Sequence, residues 1–323
     1  MQLLQYGRAG HLVKRIIDVD TKDIKASSVK EIEEAFSLTE ESLFAPLYYP
    51  QRFDAAPLMA LIGAAQEDPR KAVLKRAETA QKRLYRYLEE VERTRKLYEE
   101  DGAAGTDLGA VGGPLANAAK SSGAETAEGR AVADGAGVVV GLDEVGRGPL
   151  AGPVVIGAVV LDTSFYILGL NDSKKLSPKK REELAAIIHS HAKAVILEQN
   201  TAQQIDEKGI GRAVRDAFFG AVQRIEDRFG AEKIARVCID GLPLHIHPNE
   251  CAFVKGDNKI ASIAAASIVA KVARDKYMKE LAASYPAYGF EKNKGYGSAE
   301  HIAAIKAVGL SDVHRKSFCS HFV

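Results

Sequence analysis

The chain is 323 residues long, carries a formal net charge of +1, and consists of 46% hydrophobic and 27% charged residues. This balance is typical of a folded globular protein and excludes a disordered or fibrous chain. The 3 cysteines lack zinc-site spacing, which favours a reducing compartment over a disulfide framework. The longest apolar stretch, 154–161, is too short to span a bilayer, and the N-terminal residues lack the apolar core of a signal peptide. We therefore predict a cytoplasmic protein without a membrane partner.

Residues 1–100 predict a helical N-terminal region. Ser28 and Glu31 have the spacing of a capping box, which begins a first short helix. Asp68 followed by proline predicts the start of a long helix that runs to about Tyr98, because apolar residues recur there at three- and four-residue steps. After Asp68 this helix has ten basic and four acidic residues. They form either a solvated surface or an auxiliary contact to nucleic acid phosphates.

Residues 101–137 form the clearest boundary in the sequence. Glycine and alanine supply 20 of these 37 positions, and aromatic residues are absent. Such a segment buries too little apolar surface to offset its loss of conformational entropy. We therefore predict a flexible linker with a mean span of about 35 Å, with a poorly packed alanine-rich helix as the alternative. The linker separates the N-terminal region, 1–100, from a C-terminal domain, 138–323.

The C-terminal domain changes to the pattern of β-strands. Two β-branched segments, 137–143 and 152–161, are joined by a glycine-rich turn and predict an antiparallel pair. The later elements are predicted as a helix at 178–189, a strand at 194–198, a helix at 205–229, strands at 236–239 and 252–255, and a helix at 260–285. Strands followed by strand–helix alternation predict an α/β sheet with helices on its faces. This domain has 25 basic and 21 acidic residues, which weakly indicates a polyanionic partner.

Acidic residues follow three of these strands. Asp143 and Glu144 end the first strand, Asp240 ends another, and Asp257 comes shortly after the last. Because open α/β sheets bind ligands where strand ends meet, we expect these carboxylates to lie close together. Buried carboxylates need a compensating positive charge, and Mg²⁺, which binds oxygen ligands, can supply it. For each acid taken alone, a structural role in a turn or as a helix N-cap is the alternative to metal binding. Asp143 and Glu144 share a site only if the strand bends, which Gly146 permits.

The segment Asp143–Val154, with the sequence DEVGRGPLAGPV, resembles the signature opening of the ribonuclease HII family. Further blocks that resemble this family follow in order at 170–177, 239–241, 254–259, 262–275, 288–297 and 314–318. Together they span about 138–318. The stretch from about 28 to 99 resembles, more loosely, the extension that precedes the catalytic domain in some bacterial members.

This resemblance implies a ribonuclease H-like α/β fold, a mixed sheet flanked by helices, preceded here by the small helical N-terminal region. It also implies an endoribonuclease that hydrolyses the RNA strand of RNA–DNA hybrids and incises at ribonucleotides embedded in duplex DNA, leaving 3′-hydroxyl and 5′-phosphate ends. Asp143, Glu144 and Asp240 are implied as metal-binding carboxylates, and Asp257 as the fourth catalytic acid. Two Mg²⁺ or Mn²⁺ ions are implied in the active complex.

The resemblance also implies which residues distinguish RNA from DNA. The backbone of Gly146, Arg147 and Gly148 is implied to sense the 2′-hydroxyl, the group that distinguishes the two. Tyr296 is implied to stack on the sugar of the adjoining deoxynucleotide. A half-buried structural aromatic is the alternative for Tyr296.

Basic residues in the same blocks are expected to contact substrate phosphates. These residues are Lys174, Lys175, Lys255, Lys294 and Arg315. The histidines lack the Cys/His spacing of a zinc site. We interpret as surface or phosphate-side residues His245, His247, His301 and His314.

Two other functions remain open. The first is a hybrid nuclease of the ribonuclease HIII type, which needs runs of ribonucleotides and also carries an N-terminal extension. The Asp-Glu-Val-Gly-Arg-Gly block favours ribonuclease HII over that family. The second is a catalytically inactive nucleic-acid-binding module, against which the presence of all four acids counts. The sequence does not identify what the N-terminal region binds.

Overall fold

The computed structural model describes residues 24–49, 52–102 and 137–322, which divide into two compact units. Of these residues, the first unit contains 24–49, 52–95 and 164–169. The second unit contains 96–102, 137–163 and 170–322. Most of the predicted linker, 103–136, lies outside the described residues, so the linker stays a prediction. Across the described ranges, no helix combines the length and the apolarity needed to cross a membrane.

Among its described residues, the first unit contains three helices, which confirm the helical N-terminal region. They are α1 (Val29–Leu43), α2 (Ala56–Gln66) and α3 (Lys71–Glu100), whose last five residues belong to the second unit. The predicted capping box is present, because the Ser28 hydroxyl accepts the Glu31 N–H and the Glu31 carboxylate accepts the Ser28 N–H at 2.7 Å. Apolar side chains from all three helices, including Phe36, Leu58 and Ala77, form one buried core.

Four arginines of α3 are paired with acids inside the first unit. The nearly buried Glu40 accepts from Arg76 at 3.1 Å and from Arg83 at 2.6 Å. Two further arginines pair with glutamates one turn earlier in the helix. The two glutamates of α3 are already counted among its four acids, so Glu40 alone offsets positive charge beyond the sequence count. A contact between this helix and nucleic acid phosphates stays a prediction.

A five-stranded mixed sheet is the framework of the second unit and confirms the predicted fold class. In chain order the strands of the described residues are β1 (Leu47–Tyr48), β2 (Val138–Val145), β3 (Val154–Val160), β4 (Tyr166–Ile167), β5 (Ala194–Asn200), β6 (Ile234–Asp240) and β7 (Glu250–Phe253). The sheet has the order β5-β3-β2-β6-β7. The β2–β3 pair is antiparallel as predicted, and so is β3–β5, whereas β2–β6 and β6–β7 are parallel. The carboxyl ends of β2, β6 and β7 therefore reach the same edge of the sheet.

Helices cover both faces of this sheet. In chain order they are α4 (Pro178–His191), α5 (Ala202–Lys208), α6 (Ile210–Phe229), α7 (Ala261–Ser284), α8 (Phe290–Asn293), α9 (Ala299–Val308) and α10 (Lys316–Cys319). Helix α6 packs on one face through an apolar cluster that contains Val140, Leu142 and Phe218. On the other face α7 packs very close to the sheet. A Cβ at Gly141 of β2 would overlap the Ser262 backbone of this helix. The alanine-rich first half of α7 allows this close approach.

The short strands β1 and β4 form a separate antiparallel pair in the first unit. Tyr48 of β1 stacks on Tyr166 of β4, with ring centroids 5.9 Å apart. Segment 164–169, which contains β4, thus belongs to the first unit although the predicted domain 138–323 includes it. Strands of two residues are too short to show a period-two pattern, so the sequence does not predict this pair.

Several element boundaries differ from the predicted ones. The prediction of one helix over 205–229 is wrong, because Gly209, with φ of 78°, separates α5 from α6. The strand predicted at 252–255 ends at Phe253, and Lys255 has a left-handed φ of 58°. The sequence also misses α8, α9 and α10, of which α8 and α10 have only 4 residues each. A single turn is too short to show helical periodicity.

Candidate active site

Four acidic residues lie at the carboxyl ends of β2, β6 and β7. Asp143 and Glu144 lie near the end of β2, and Asp240 is the last residue of β6. The parallel register of these strands pairs the residues immediately before Asp143 and Asp240, so these two acids are neighbours. Asp257 lies in a single 3-10 turn, Gly256–Asn258, shortly after β7. The structure thus brings the predicted acids to one edge of the sheet.

The acids of β2 and β6 act electrostatically on one another. Burial, followed by the charges of Asp240 and Glu144, raises the pKa of Asp143 to about 8, against a hydrogen bond from Ser267 of α7. Burial and the Asp240 charge also raise the pKa of Glu144, whereas Arg147 lowers it. The Arg147 Nη1 atom lies 3.7 Å from Glu144 Oε1. Carboxylates that disfavour one another's ionisation form a site that favours a bound cation.

A further acid extends this group around Asp257. Burial raises the pKa of Asp257, and the charges of Asp172 and Asp240 add to the rise, whereas Lys174 opposes it. Asp172 caps a 3-10 turn by accepting the Lys174 N–H at 2.9 Å. No sequence pattern marks Asp172 as part of the site, although an aspartate two residues before that N–H is typical of a cap.

Asp240 is fixed by the turn that follows β7. The Gly256 N–H donates to Asp240 Oδ1 at 2.6 Å. A Cβ at Gly256 would lie 2.6 Å from Ile263 Cδ1 and 3.4 Å from that carboxylate oxygen. The missing side chain therefore lets the turn backbone approach the carboxylate closely. This contact joins the end of β6 to the turn that carries Asp257.

The backbone bends directly after the two consecutive acids. The Glu144 N–H donates to Asp143 Oδ1 at 2.8 Å. Two residues later Gly146 has φ of 90°, a conformation that L side chains rarely adopt. A Cβ at Gly146 would also overlap the Arg274 side chain. The bend expected at Gly146 is therefore present.

Arg315 holds the loop 146–148, in which Arg147 lies between two glycines, from inside the protein. Its side chain is 0% exposed and donates to the carbonyls of Gly146 at 2.6 Å, Arg147 at 2.9 Å and Gly152 at 3.0 Å. Burial and the nearby Arg274 charge lower the pKa of Arg315 to about 10, which leaves it protonated at neutral pH. The interpretation of Arg315 as a phosphate contact is wrong, because the guanidinium is buried among backbone carbonyls.

Arg274 joins this loop to the segment that carries Tyr296. The Arg274 guanidinium donates to the carbonyls of Pro153 at 2.9 Å, Ala151 at 3.2 Å and Lys294 at 2.9 Å. Its Cζ atom lies 5.8 Å from the centroid of the Tyr296 ring, and 44% of Tyr296 is exposed. Tyr296 is thus an accessible aromatic ring attached to the same buried support as the loop.

His301 and His314 are buried, so their interpretation as surface or phosphate-side residues is wrong. Their Nε2 atoms lie 3.0 Å apart, and His301 Nδ1 lies 2.9 Å from the carbonyl oxygen of Tyr296. Burial lowers the pKa of both rings, that of His314 to about 4. This neutral pair therefore supports the backbone at Tyr296. Of the other histidines, His245 is exposed and His247 lies 3.3 Å from a glutamate carboxylate.

Three of the four lysines expected to contact substrate are exposed near the acids, whereas Lys294 is half-buried and its ammonium donates to the Glu291 carbonyl at 2.5 Å. Lys174 and Lys175 lie on one 3-10 turn, and Lys255 precedes the turn that carries Asp257. The Lys175 ammonium donates to Asn258 Oδ1 at 2.5 Å. The Lys174 charge lowers the pKa of two of the acids, which places it within electrostatic reach of both.

Two further supports of the site escape the sequence analysis. The Ser267 hydroxyl of α7 lowers the pKa of Asp143, and its Oγ lies 3.0 Å from Ser173 Oγ. Arg274 lies two turns further along the same helix. Both residues occur in blocks that resemble the family, but a serine or an arginine on a long helix has no local pattern that distinguishes a buried position from an exposed one. Tertiary packing alone identifies them.

The chemistry of the carboxylates fits a divalent cation. Mg²⁺ and Mn²⁺ prefer oxygen ligands of this kind, and burial with mutual repulsion leaves the acids short of compensating charge. Within residues 24–49, 52–102 and 137–322, no three His, Cys, Asp or Glu side chains are already arranged as a ligand set. The site thus fits such ions by its carboxylate donors and its negative charge, and not by a preformed ligand geometry.

Comparison with known proteins relates the second unit to one family. The family model described as ribonuclease HII matches residues 140–321, more than half of the chain. A ribonuclease HII from Geobacillus sp. (strain WCH70) is 49% identical over 180 residues, which cover 56% of this chain and 63% of that protein. The chain thus spans less than two thirds of that relative's length. A ribonuclease HII from Clostridium beijerinckii is 41% identical over 263 residues, which cover 80% of this chain and 85% of that protein.

Two solved structures are also similar. The ribonuclease HII in the PCNA:RNase HII complex from Archaeoglobus fulgidus is 24% identical with a TM-score of 0.48, covering 56% of this chain and 93% of that one. Ribonuclease H2 from Pyrococcus horikoshii OT3 is 26% identical with a TM-score of 0.47, covering 57% of this chain and 95% of that one. On the strength of the family model and of the Clostridium relative, the chain belongs to the ribonuclease HII family.

Proposed function

We propose that this chain is a metal-dependent endoribonuclease that hydrolyses the RNA strand of RNA–DNA hybrids and incises at ribonucleotides embedded in duplex DNA. Membership of the ribonuclease HII family supports a nuclease that acts on RNA–DNA hybrids. The observation that carries the proposal is a group of four acids at one edge of the sheet, beside the loop 146–148 that Arg315 holds. Asp143 and Asp257 are buried, and Glu144 and Asp240 are half-buried.

Two divalent ions, Mg²⁺ or Mn²⁺, would be held by Asp143, Glu144 and Asp240, with Asp257 as the fourth acid. When bound, such ions supply the positive charge that activates a water and stabilises the leaving 3′-oxygen of a phosphodiester. The chain contributes carboxylates that are already fixed, as Asp240 is by the Gly256 N–H at 2.6 Å. The expected products have 3′-hydroxyl and 5′-phosphate ends.

Discrimination of RNA from DNA is assigned to the backbone of Gly146, Arg147 and Gly148. Arg315 already occupies the carbonyls of Gly146 and Arg147, at 2.6 Å and 2.9 Å, so the loop is held in one position. A fixed loop cannot move to compensate for a missing 2′-hydroxyl, and an unpaired buried polar group costs about 1–3 kcal/mol. Tyr296, exposed beside this loop, would stack on the sugar of the adjoining deoxynucleotide.

Phosphate contacts are assigned to the exposed lysines around the acids. Lys174, Lys175 and Lys255 carry ammonium groups at the rim of the site. Lysine acts on phosphates as a point charge and not as a planar fork, so these residues are expected to contribute affinity without sequence preference. RNA–DNA hybrid and duplex DNA with embedded ribonucleotides are the proposed partners.

Cleavage of three end-labelled duplexes tests the proposal. The first contains a single ribonucleotide in DNA, the second is an RNA–DNA hybrid, and the third is DNA throughout; each is incubated with Mg²⁺, Mn²⁺ or EDTA. We expect the first two to be cleaved with either metal, the third to stay intact, and EDTA to stop all cleavage. Cleavage of the hybrid alone would indicate a ribonuclease HIII-like activity instead. Binding without cleavage in either metal would indicate an inactive binding module.

A further inference from the structure

The N-terminus of α7 is capped by a residue from a distant part of the chain. Helix α7 begins at Ala261, and the preceding Ile260 provides no side-chain cap. Asp101 takes that role, since the Ser262 N–H donates to its Oδ2 at 2.9 Å and the Ser262 hydroxyl donates to its Oδ1 at 2.6 Å. Only 3% of Asp101 is exposed. A carboxylate in this place satisfies an orphan N–H and interacts favourably with the helix dipole.

The position of Asp101 is itself fixed within the second unit. Asp101 follows directly on Glu100, whose carbonyl accepts from Arg236 of β6 at 3.1 Å. Gly102 has φ of 81°, and a Cβ there would lie 2.9 Å from Arg236 Nη1. Burial raises the pKa of Asp101 to about 6, against its hydrogen bonds and the Arg236 charge. The sequence assigns Asp101 to the linker, but it is a buried part of the second unit.

The first turn of α7 contacts the strand that carries Asp143. The Ser262 backbone lies so close to β2 that only a glycine fits at position 141, two residues before Asp143. One and a half turns further along α7, Ser267 hydrogen-bonds to Asp143 itself. A shift of this part of the helix would therefore move both the strand and the hydrogen-bond partner of the carboxylate.

The same turn contacts the support of Asp240. The Ile263 side chain packs against Gly256 so closely that a Cβ there would lie only 2.6 Å from Ile263 Cδ1. The Gly256 N–H is the group that donates to Asp240 Oδ1. The residues next to the capped N–H thus support two acids on two different strands.

We propose that Asp101 is a positioning residue for the active site: by capping α7, it holds the first turn of that helix against β2 and the Gly256 turn, and so fixes Asp143 and Asp240 for divalent ions. This inference rests on the proposed function. It extends that function by giving the end of the N-terminal helical region a part in the geometry of the site.

The test is the affinity of the full chain for Mn²⁺, measured from the electron paramagnetic resonance signal of free Mn²⁺. All measurements are made at a temperature at which circular dichroism finds the variant folded. Asp101→Ala removes both acceptors, and we expect the affinity for Mn²⁺ to fall about tenfold, the lower end of what supports of metal ligands contribute. Asp101→Asn keeps one oxygen for the Ser262 N–H and offers an amide to its hydroxyl, so its affinity should stay within about twofold of wild type.

Asp68→Ala is the matched control. Asp68 is 2% exposed and accepts the Arg70 N–H at 2.9 Å, but it lies in the first unit. We expect this variant to lose thermal stability and to keep its affinity for Mn²⁺. An equal loss of Mn²⁺ affinity in Asp68→Ala, or wild-type affinity in folded Asp101→Ala, would overturn the role of Asp101.

If Asp101→Ala does not fold, Ser262→Ala decides, because it removes only the hydroxyl's hydrogen bond to Asp101. Weaker Mn²⁺ binding in Ser262→Ala supports the proposal, and unchanged binding overturns it. A wild-type chain that neither binds Mn²⁺ nor cleaves would overturn the proposed function and this inference together. If the wild-type chain binds Mn²⁺ and cleaves, unchanged Mn²⁺ affinity in the Asp101 or Ser262 variant overturns this inference and leaves the proposed function standing.

Discussion

Arg315→Lys keeps a positive charge in the protein interior but replaces a planar group of several donors with a single ammonium. The guanidinium serves the carbonyls of Gly146, Arg147 and Gly152 at distances from 2.6 Å to 3.0 Å. An ammonium that reaches one of them leaves two buried acceptors unsatisfied, each costing about 1–3 kcal/mol. We therefore expect the free energy of unfolding to fall by about 3 kcal/mol.

Urea unfolding followed by circular dichroism measures this loss. Lys316→Ala is the control, because Lys316 is the exposed neighbour of Arg315 and its removal should change the free energy of unfolding by less than about 0.5 kcal/mol. A phosphate contact would give another pattern. In that case the free energy of unfolding would stay unchanged in Arg315→Lys. Replacing Arg315 by a neutral side chain would instead make the log–log salt dependence of duplex binding shallower by about 0.9. That pattern would refute the supporting role of Arg315.

Asp143→Asn and Asp240→Asn are each expected to abolish cleavage and leave duplex binding largely intact, since the amide keeps the volume and loses affinity for cations; near-normal turnover in Mg²⁺ would contradict the assignment. Tyr296→Ala should lower cleavage at a single ribonucleotide more than cleavage of a long hybrid, because only the former requires stacking at the junction with DNA; equal losses would make Tyr296 a packing residue. The folded pKa of His314, about 4, lies below the ordinary 6.5, so the stability contributed by its neutral ring is present above pH 6.5 and is lost as the pH falls toward 4. Between pH 7 and pH 5 this loss is about 2 kcal/mol, and urea unfolding of His314→Gln should lack it; the same pH dependence in the variant would contradict the buried neutral pair.

The acids could be predicted from the sequence because each follows a strand pattern, which is a local feature. Asp143 and Asp240 end strands of β-branched residues, and Gly146 signals the bend that follows. The sheet order is not local. Parallel pairing of β2 with β6 joins segments that lie far apart in the chain, with nothing in either segment to specify the partner. The sequence therefore predicts which residues are at strand ends, and the structure supplies which strands are neighbours.

The buried polar supports could not be predicted, because their partners lie far away along the chain. Arg315 donates to a carbonyl 169 positions earlier, and Asp101 accepts from a residue 161 positions later. An arginine near charged neighbours and an aspartate in a glycine- and alanine-rich segment both have the pattern of exposed residues. Only the folded chain shows that each side chain is enclosed and fully hydrogen-bonded.

We propose that Asp143, Glu144, Asp240 and Asp257 act as one divalent-ion site for hydrolysis next to a ribonucleotide. The most direct measurement is one Mn²⁺ titration in which Mn²⁺ bound per chain and the incision rate of a duplex with a single ribonucleotide are recorded together. We predict that the rate rises with Mn²⁺ occupancy in the wild-type chain, and that occupancy and rate are both lost in Asp143→Asn and in Asp240→Asn. Incision that persists without bound Mn²⁺, or variants that bind Mn²⁺ as tightly as the wild type, would contradict this role of the four acids.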